Sequence, residues 1–173
     1  MKIINLLFVI VLFFLPYYTF SQNKLVPGNY KMARRVLSVR TSPKDAGRIY
    51  IEDENNSTAS SNNDLKNLTR IGGVKFRGEN TLNSIFLTSL NKTKLQELAK
   101  DNYNIFVNLY INNMGRVENV QFYTTDKTKI SLGEFDALTD SIKNNIIIDV
   151  PDDFDKSKRL APISQVIHFK KLI

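Results

Sequence analysis

The 173-residue chain has no cysteine and no tryptophan, a single histidine, five prolines and seven glycines. Without cysteine there is no disulfide, no thiolate metal site and no attachment point for a lipoprotein anchor. With only His168, any Ser-His-Asp mechanism or histidine-bearing metal site has one residue to use, and sites built on several histidines are excluded. Phosphate-binding loops are missing too. The glycines of "IGGVKFRG" (Gly72, Gly73 and Gly78) are followed by no Lys-Ser or Lys-Thr pair, so they read as a turn or bulge.

What is present begins with an apolar run. Met1 and Lys2 precede the stretch Leu6 to Leu15, which ends at Pro16. A membrane-spanning helix needs about 20 apolar residues, and this run falls short of that length. It has the plan of a secretory signal, with Thr19 and Ser21 placed for cleavage before Gln22. Residues 1–21 are therefore expected to be removed, leaving a periplasmic or secreted protein with no stable membrane insertion. Export without cysteine points to a bacterial envelope.

The net charge of +7 comes mainly from the chain before residue 91. There, Lys31, Arg34, Arg35, Arg40, Lys44 and Arg48 are spaced out, with few aromatics among them to stack bases. That pattern describes a solvated basic face, and no nucleic-acid partner is expected.

Residues 22–90 read as strand-rich. "RRVLSVRT" and "GRIYIED" flank the turn Ser42 to Gly47 and are expected to pair as a hairpin. A polar loop is expected at 54–64, followed by two short strands, Val74 to Gly78 and Ser84 to Leu90. Residues 91–173 carry sharper signals. Asn91 is placed to cap a helix over "KTKLQELAKDN", with Leu90 and Leu95 as its hydrophobic staple. "NIFVNLYIN" alternates, putting Ile105, Val107, Leu109 and Ile111 on one face, and "NNMG" turns the chain into "RVENVQFYT". Ser131 and Glu134 form a capping box, flanked by Ile130 and Phe135, for a helix from Leu132 to about Asn144. "ISQVIHFKKL" reads as a terminal strand.

The segments "VNLYINNMGRVENVQFY", "LGEFDALTDSI" and "APISQVIHFKKL" together resemble the TonB C-terminal domain, over about residues 91–173. The matching features are Val107, Leu109 and Ile111, the turn at Gly115, Val117 and Val120, Leu132 with Phe135 and Ala137, Pro162, and Val166, Ile167 and Phe169. The resemblance implies an α+β fold, an antiparallel sheet with two helices packed on one face, to which residues 22–90 add further strands. It also implies that the terminal strand pairs with an extended segment of an outer-membrane protein. Carried over by position, the peptide-binding edge is Ser164, Gln165, Val166, Ile167, His168, Phe169 and Lys170. The chain departs from the family's energy transducers in lacking a long Pro-rich spacer and the Tyr-Pro pair that opens the family domain. The expected protein is thus an exported, non-enzymatic binding module with no cofactor and no metal.

Two other classes compete. Asp152, Asp153 and Asp155 in "PDDFDKS" lack the Gly and closing Glu of a calcium loop, but offer carboxylates for a hydrolase acting on cell-wall or glycan substrates. The basic and aromatic strands of the first half also suit a structural envelope protein that associates with itself.

Overall fold

The computed structural model describes residues 24–54, 68–69, 75–151, 159–160 and 162–173. The expected signal, almost all of the polar loop at 54–64, and Asp152, Asp153 and Asp155 lie outside the described residues.

The order along the chain is β1 (Gly28–Lys31), β2 (Val36–Thr41), β3 (Arg48–Asp53), β4 (Leu68–Thr69), α1 (Leu82–Ser89), α2 (Lys92–Lys100), β5 (Asn104–Ile111), β6 (Val117–Thr125), α3 (Leu132–Asn145), β7 (Arg159–Leu160) and β8 (Ile163–His168). A short 3-10 turn, Phe169–Lys171, follows β8. The protein is α+β. Its main sheet has six strands in the order β1-β2-β3-β6-β5-β8, all antiparallel, while β4 and β7 form a separate parallel pair. Because β3 pairs with β6, setting Ile51 opposite Phe122, one sheet runs through both expected halves of the chain.

Side chains alternate across a strand, so register decides which residues share a face. Val39, Ile51, Phe122 and Val107 follow one another across β2, β3, β6 and β5, and all four are buried. The helices cover this face. Phe135 of α3 packs its ring 5.0 Å from that of Phe122, and Phe86 of α1 meets Phe169 edge-on at 5.8 Å. Each fully buried Leu, Ile or Phe contributes about 1.5–3 kcal/mol.

The helix starts follow local chemistry. Asn91 Oδ1 accepts from the Lys94 backbone N–H at 2.8 Å, and Ser131 and Glu134 close both halves of their capping box. Two sequence expectations are corrected. Ser84 to Leu90 is not a strand: Leu82–Ser89 is a helix, capped by Thr81 reciprocally with Ser84 and burying Leu82, Ile85 and Phe86 along one stripe. This adds a third helix among the described residues. In Val74 to Gly78, the described part forms only an isolated bridge, Phe76 opposite Ile148.

That bridge belongs to a segment folded back on the tip of the β5–β6 hairpin. Asn112 Oδ1 accepts from the N–H groups of Met114 and Arg116, and Gly115 takes φ +77°. The Ile148 N–H donates to the Gly115 carbonyl at 2.9 Å. A Cβ at residue 115 would fall 1.8 Å from the Ile148 carbonyl oxygen. Left-handed backbone and close approach both demand glycine here.

An ionic cluster fastens α3 to the sheet. Arg35, whose side chain is only 8% exposed, reaches Asp136 at 2.7 Å, Asp140, and Asp53 at 3.6 Å, while Lys143 lies 3.8 Å from Asp53. Burial holds the Lys143 ammonium below its ordinary pKa, with Asp53 opposing that shift.

Gly115→Ala is expected to cost about 2–4 kcal/mol in chemical denaturation, and a loss under about 1 kcal/mol would show that the Ile148 segment yields readily. Arg35→Met removes the buried cation that Asp53, Asp136 and Asp140 share, leaving Asp53 to Lys143 and Asp140 to Arg34, and is expected to cost about 3 kcal/mol, whereas Lys143→Met is expected to be neutral or stabilising at pH 7. The sign for Lys143 is set by proton binding. Its folded pKa is depressed, so between that value and the ordinary 10.5 the unfolded chain binds more protons and stability rises with pH. The gap between wild type and Lys143→Met should therefore narrow as the pH rises through that window, and a widening gap would contradict it.

Candidate strand-addition edge

Strand β8 closes one side of the sheet. It pairs with β5 in the register Asn104 with His168, Ile105 with Ile167, Phe106 with Val166, Val107 with Gln165, and Asn108 with Ser164. Backbone bonds alternate along an antiparallel ladder, so a single bond fixes the phase. The Phe169 N–H donates to the Tyr103 carbonyl at 3.2 Å. Hence Ile163, Gln165 and Ile167 direct their backbone groups toward β5, and Ser164, Val166 and His168 direct theirs outward. No strand pairs with this outer row among the described residues.

The structure divides the seven predicted edge residues. Ser164 to His168 lie in β8, but Phe169 and Lys170 do not, because the chain turns into the 3-10 segment. Phe169 is instead a core residue under α1, and Lys170 is exposed beyond the strand. Ile167 is fully buried, and Gln165 sits on the same helix-covered face with its Oε1 buried and lacking a hydrogen-bond partner among the described residues. Ser164 and His168 are exposed on the opposite face, where the His168 Nδ1 lies 2.8 Å from the Asn104 Oδ1. Among the described residues no group of His, Asp and Glu is arranged to hold a metal.

The face away from the helices carries two rows of side chains that run across the strands to β8. In one, Tyr50, Tyr123, Phe106 and Val166 are successive cross-strand neighbours. The Tyr50 and Tyr123 rings lie 4.8 Å apart, Phe106 and Tyr123 5.9 Å, and the Arg48 guanidinium stands 5.8 Å over Tyr123. The Tyr123 hydroxyl donates to Asp45, which raises its pKa. Phe106 is 40% exposed, next to the edge. The second row is polar: Glu52, Gln121, Asn108 and Ser164. Sequence reasoning found neither row. Its one available signal was the alternation of β5, which sets Phe106 and Asn108 on the face opposite Ile105 and Val107.

An α+β protein with helices on one sheet face and an outer strand that, among the described residues, is paired along one side only is what these elements define. No family profile matches the chain, and no curated protein matches it. Among solved structures, the crystal structure of a DUF5043 family protein from Bacteroides uniformis ATCC 8492, at 1.85 Å resolution, is similar in fold, with a TM-score of 0.61 at 13% identity. The match covers 84% of this chain and 86% of that one.

The phase of β8 sets its response to proline. Val166→Pro removes only an outward N–H, so the protein should stay folded with a loss of about 1 kcal/mol or less, read by thermal melting. Ile167→Pro removes a bond to β5 inside the core and should cost about 3 kcal/mol or more. Equal losses from both would show that the outer row is already bonded.

Proposed function

We propose that this protein is an exported, non-enzymatic interaction module of the Gram-negative periplasm, with a TonB C-terminal-like arrangement in its second half. It captures an extended segment of an envelope or outer-membrane protein by adding it as a strand beside β8. The observation that carries this reading is the outward backbone row at Ser164, Val166 and His168, which has no strand against it among the described residues. An unpaired edge is a template for another strand, and natural proteins usually blunt such edges with proline, lysine or shortness. The six residues of β8 include no proline and no lysine, while the opposite edge, β1, is four residues long and ends in Lys31. Main-chain bonds along β8 would supply affinity, and the side chains beside it selectivity. The order of α2, the β5–β6 hairpin, α3 and β8 supports the TonB-like part of the reading.

The test is capture from an envelope extract of the source organism with wild-type and Val166→Pro protein, followed by titration of the captured segment as a synthetic peptide. Backbone amide shifts are expected to concentrate at Ser164, Val166 and His168, with binding weakened about tenfold or more by Val166→Pro. Binding that the substitution leaves unchanged would place the partner elsewhere and end the proposal.

A further inference from the structure

We infer that the β8 edge reads side chains with a defined polarity: it selects a segment bearing an apolar side chain opposite Val166 and, two residues away, a side chain that donates a hydrogen bond to Ser164. This rests on the strand-addition reading and adds to it the chemistry of the segment.

The argument starts at Glu52, deep in the polar row. Its carboxylate is 1% exposed and paired with the Arg40 guanidinium. A carboxylate only accepts, so Gln121 must offer its Nε2, and does so to Glu52 Oε2 at 2.8 Å. With its Nε2 turned toward Glu52, Gln121 presents its Oε1 to the next strand, where it accepts from Asn108 Nδ2 at 3.0 Å. Asn108 is forced in turn to present its Oδ1, which accepts from Ser164 Oγ at 2.7 Å. A hydroxyl has one proton to donate, and Ser164 has spent it inward. Toward an added strand it offers only lone pairs. The charge pair Arg40–Glu52 thus dictates, three strands away, that the residue opposite Ser164 be a donor.

The neighbouring row sets the other position. Tyr50, Tyr123 and Phe106 end against Val166, and a side chain placed opposite Val166 would continue that apolar row and cover part of the exposed Phe106 ring. Directly opposed apolar side chains are the favourable unit of sheet pairing. Since faces alternate, the donor and the apolar residue stand two apart whichever way the segment runs.

The probe is a displayed library of random seven-residue segments, selected on the full-length protein after removal of its signal. Enriched segments should carry an aliphatic or aromatic residue two positions from Asn, Gln, Ser, Thr, Lys or Arg, with Asp and Glu depleted at the donor position. Synthetic pairs differing only in donor against Ala should differ about fivefold in affinity. Ser164→Ala, at an exposed site, should erase the donor preference and keep the apolar one. Glu52→Gln, checked for folding by circular dichroism, places a donor at the inner end of the chain, lets the bonds run either way, and should admit Asp and Glu. Segments that need Val166's N–H but show no donor preference overturn this inference and leave strand addition standing, as does a preference unmoved by both Ser164→Ala and Glu52→Gln. If no enriched segment loses binding to Val166→Pro, strand addition fails and this inference with it.

Discussion

The pairing of β3 with β6 is the contact on which the rest depends. Each of the two hairpins, β2–β3 and β5–β6, is a local structure that buries little alone, and a two-strand hairpin is marginal in water. Joined through Ile51 and Phe122, they make one surface wide enough for three helices, and only then do Phe135, Phe86 and Phe169 have a floor to pack on. The same pairing aligns the opposite face. Tyr50 comes beside Tyr123 and Glu52 beside Gln121 because Ile51 stands beside Phe122. Core and edge chemistry are therefore two readouts of one register.

The two faces divide the work. On the helix side the positions are apolar apart from a few polar groups, of which Asp53 is answered by Arg35 and Lys143. Such a cluster adds little net stability over apolar packing but is costly to break, so it holds α3 in one place. On the other side the polar groups are chained from strand to strand. A fully satisfied chain of this kind is rigid and has a direction, as an apolar row does not.

Legibility followed range. The helix caps at Asn91 and Ser131 and the turn at Gly115 depend on residues within a few positions of one another, and each was readable from the sequence. The helix Leu82–Ser89 was misread because "SIFLTSL" is rich in the β-branched and aromatic residues of strands; the deciding signal was Thr81 with Ser84, a capping box without the usual Glu or Gln. The end of β8 was overrun because Phe169 continues the alternation while its ring turns under α1. The rows ending at Val166 and Ser164 are marked in the sequence only by the alternation of β5, which places Phe106 and Asn108 but none of their neighbours on other strands. Arg40, Glu52, Asn108, Gln121 and Ser164 are scattered along the chain, and only a non-local register assembles them.

Gln165 gives β8 a particular dynamic character. Its Oε1 is buried on the helix face with no hydrogen-bond partner among the described residues, a condition that costs about 1–3 kcal/mol and disappears when the amide meets water. Detaching β8 from β5 lets that amide meet water and recovers the cost. β8 is thus set to open more readily than the strands inside the sheet, and its inward amide protons at Ile163, Gln165 and Ile167 should exchange through a local opening while those bonded between β5 and β6 wait for the whole domain to unfold.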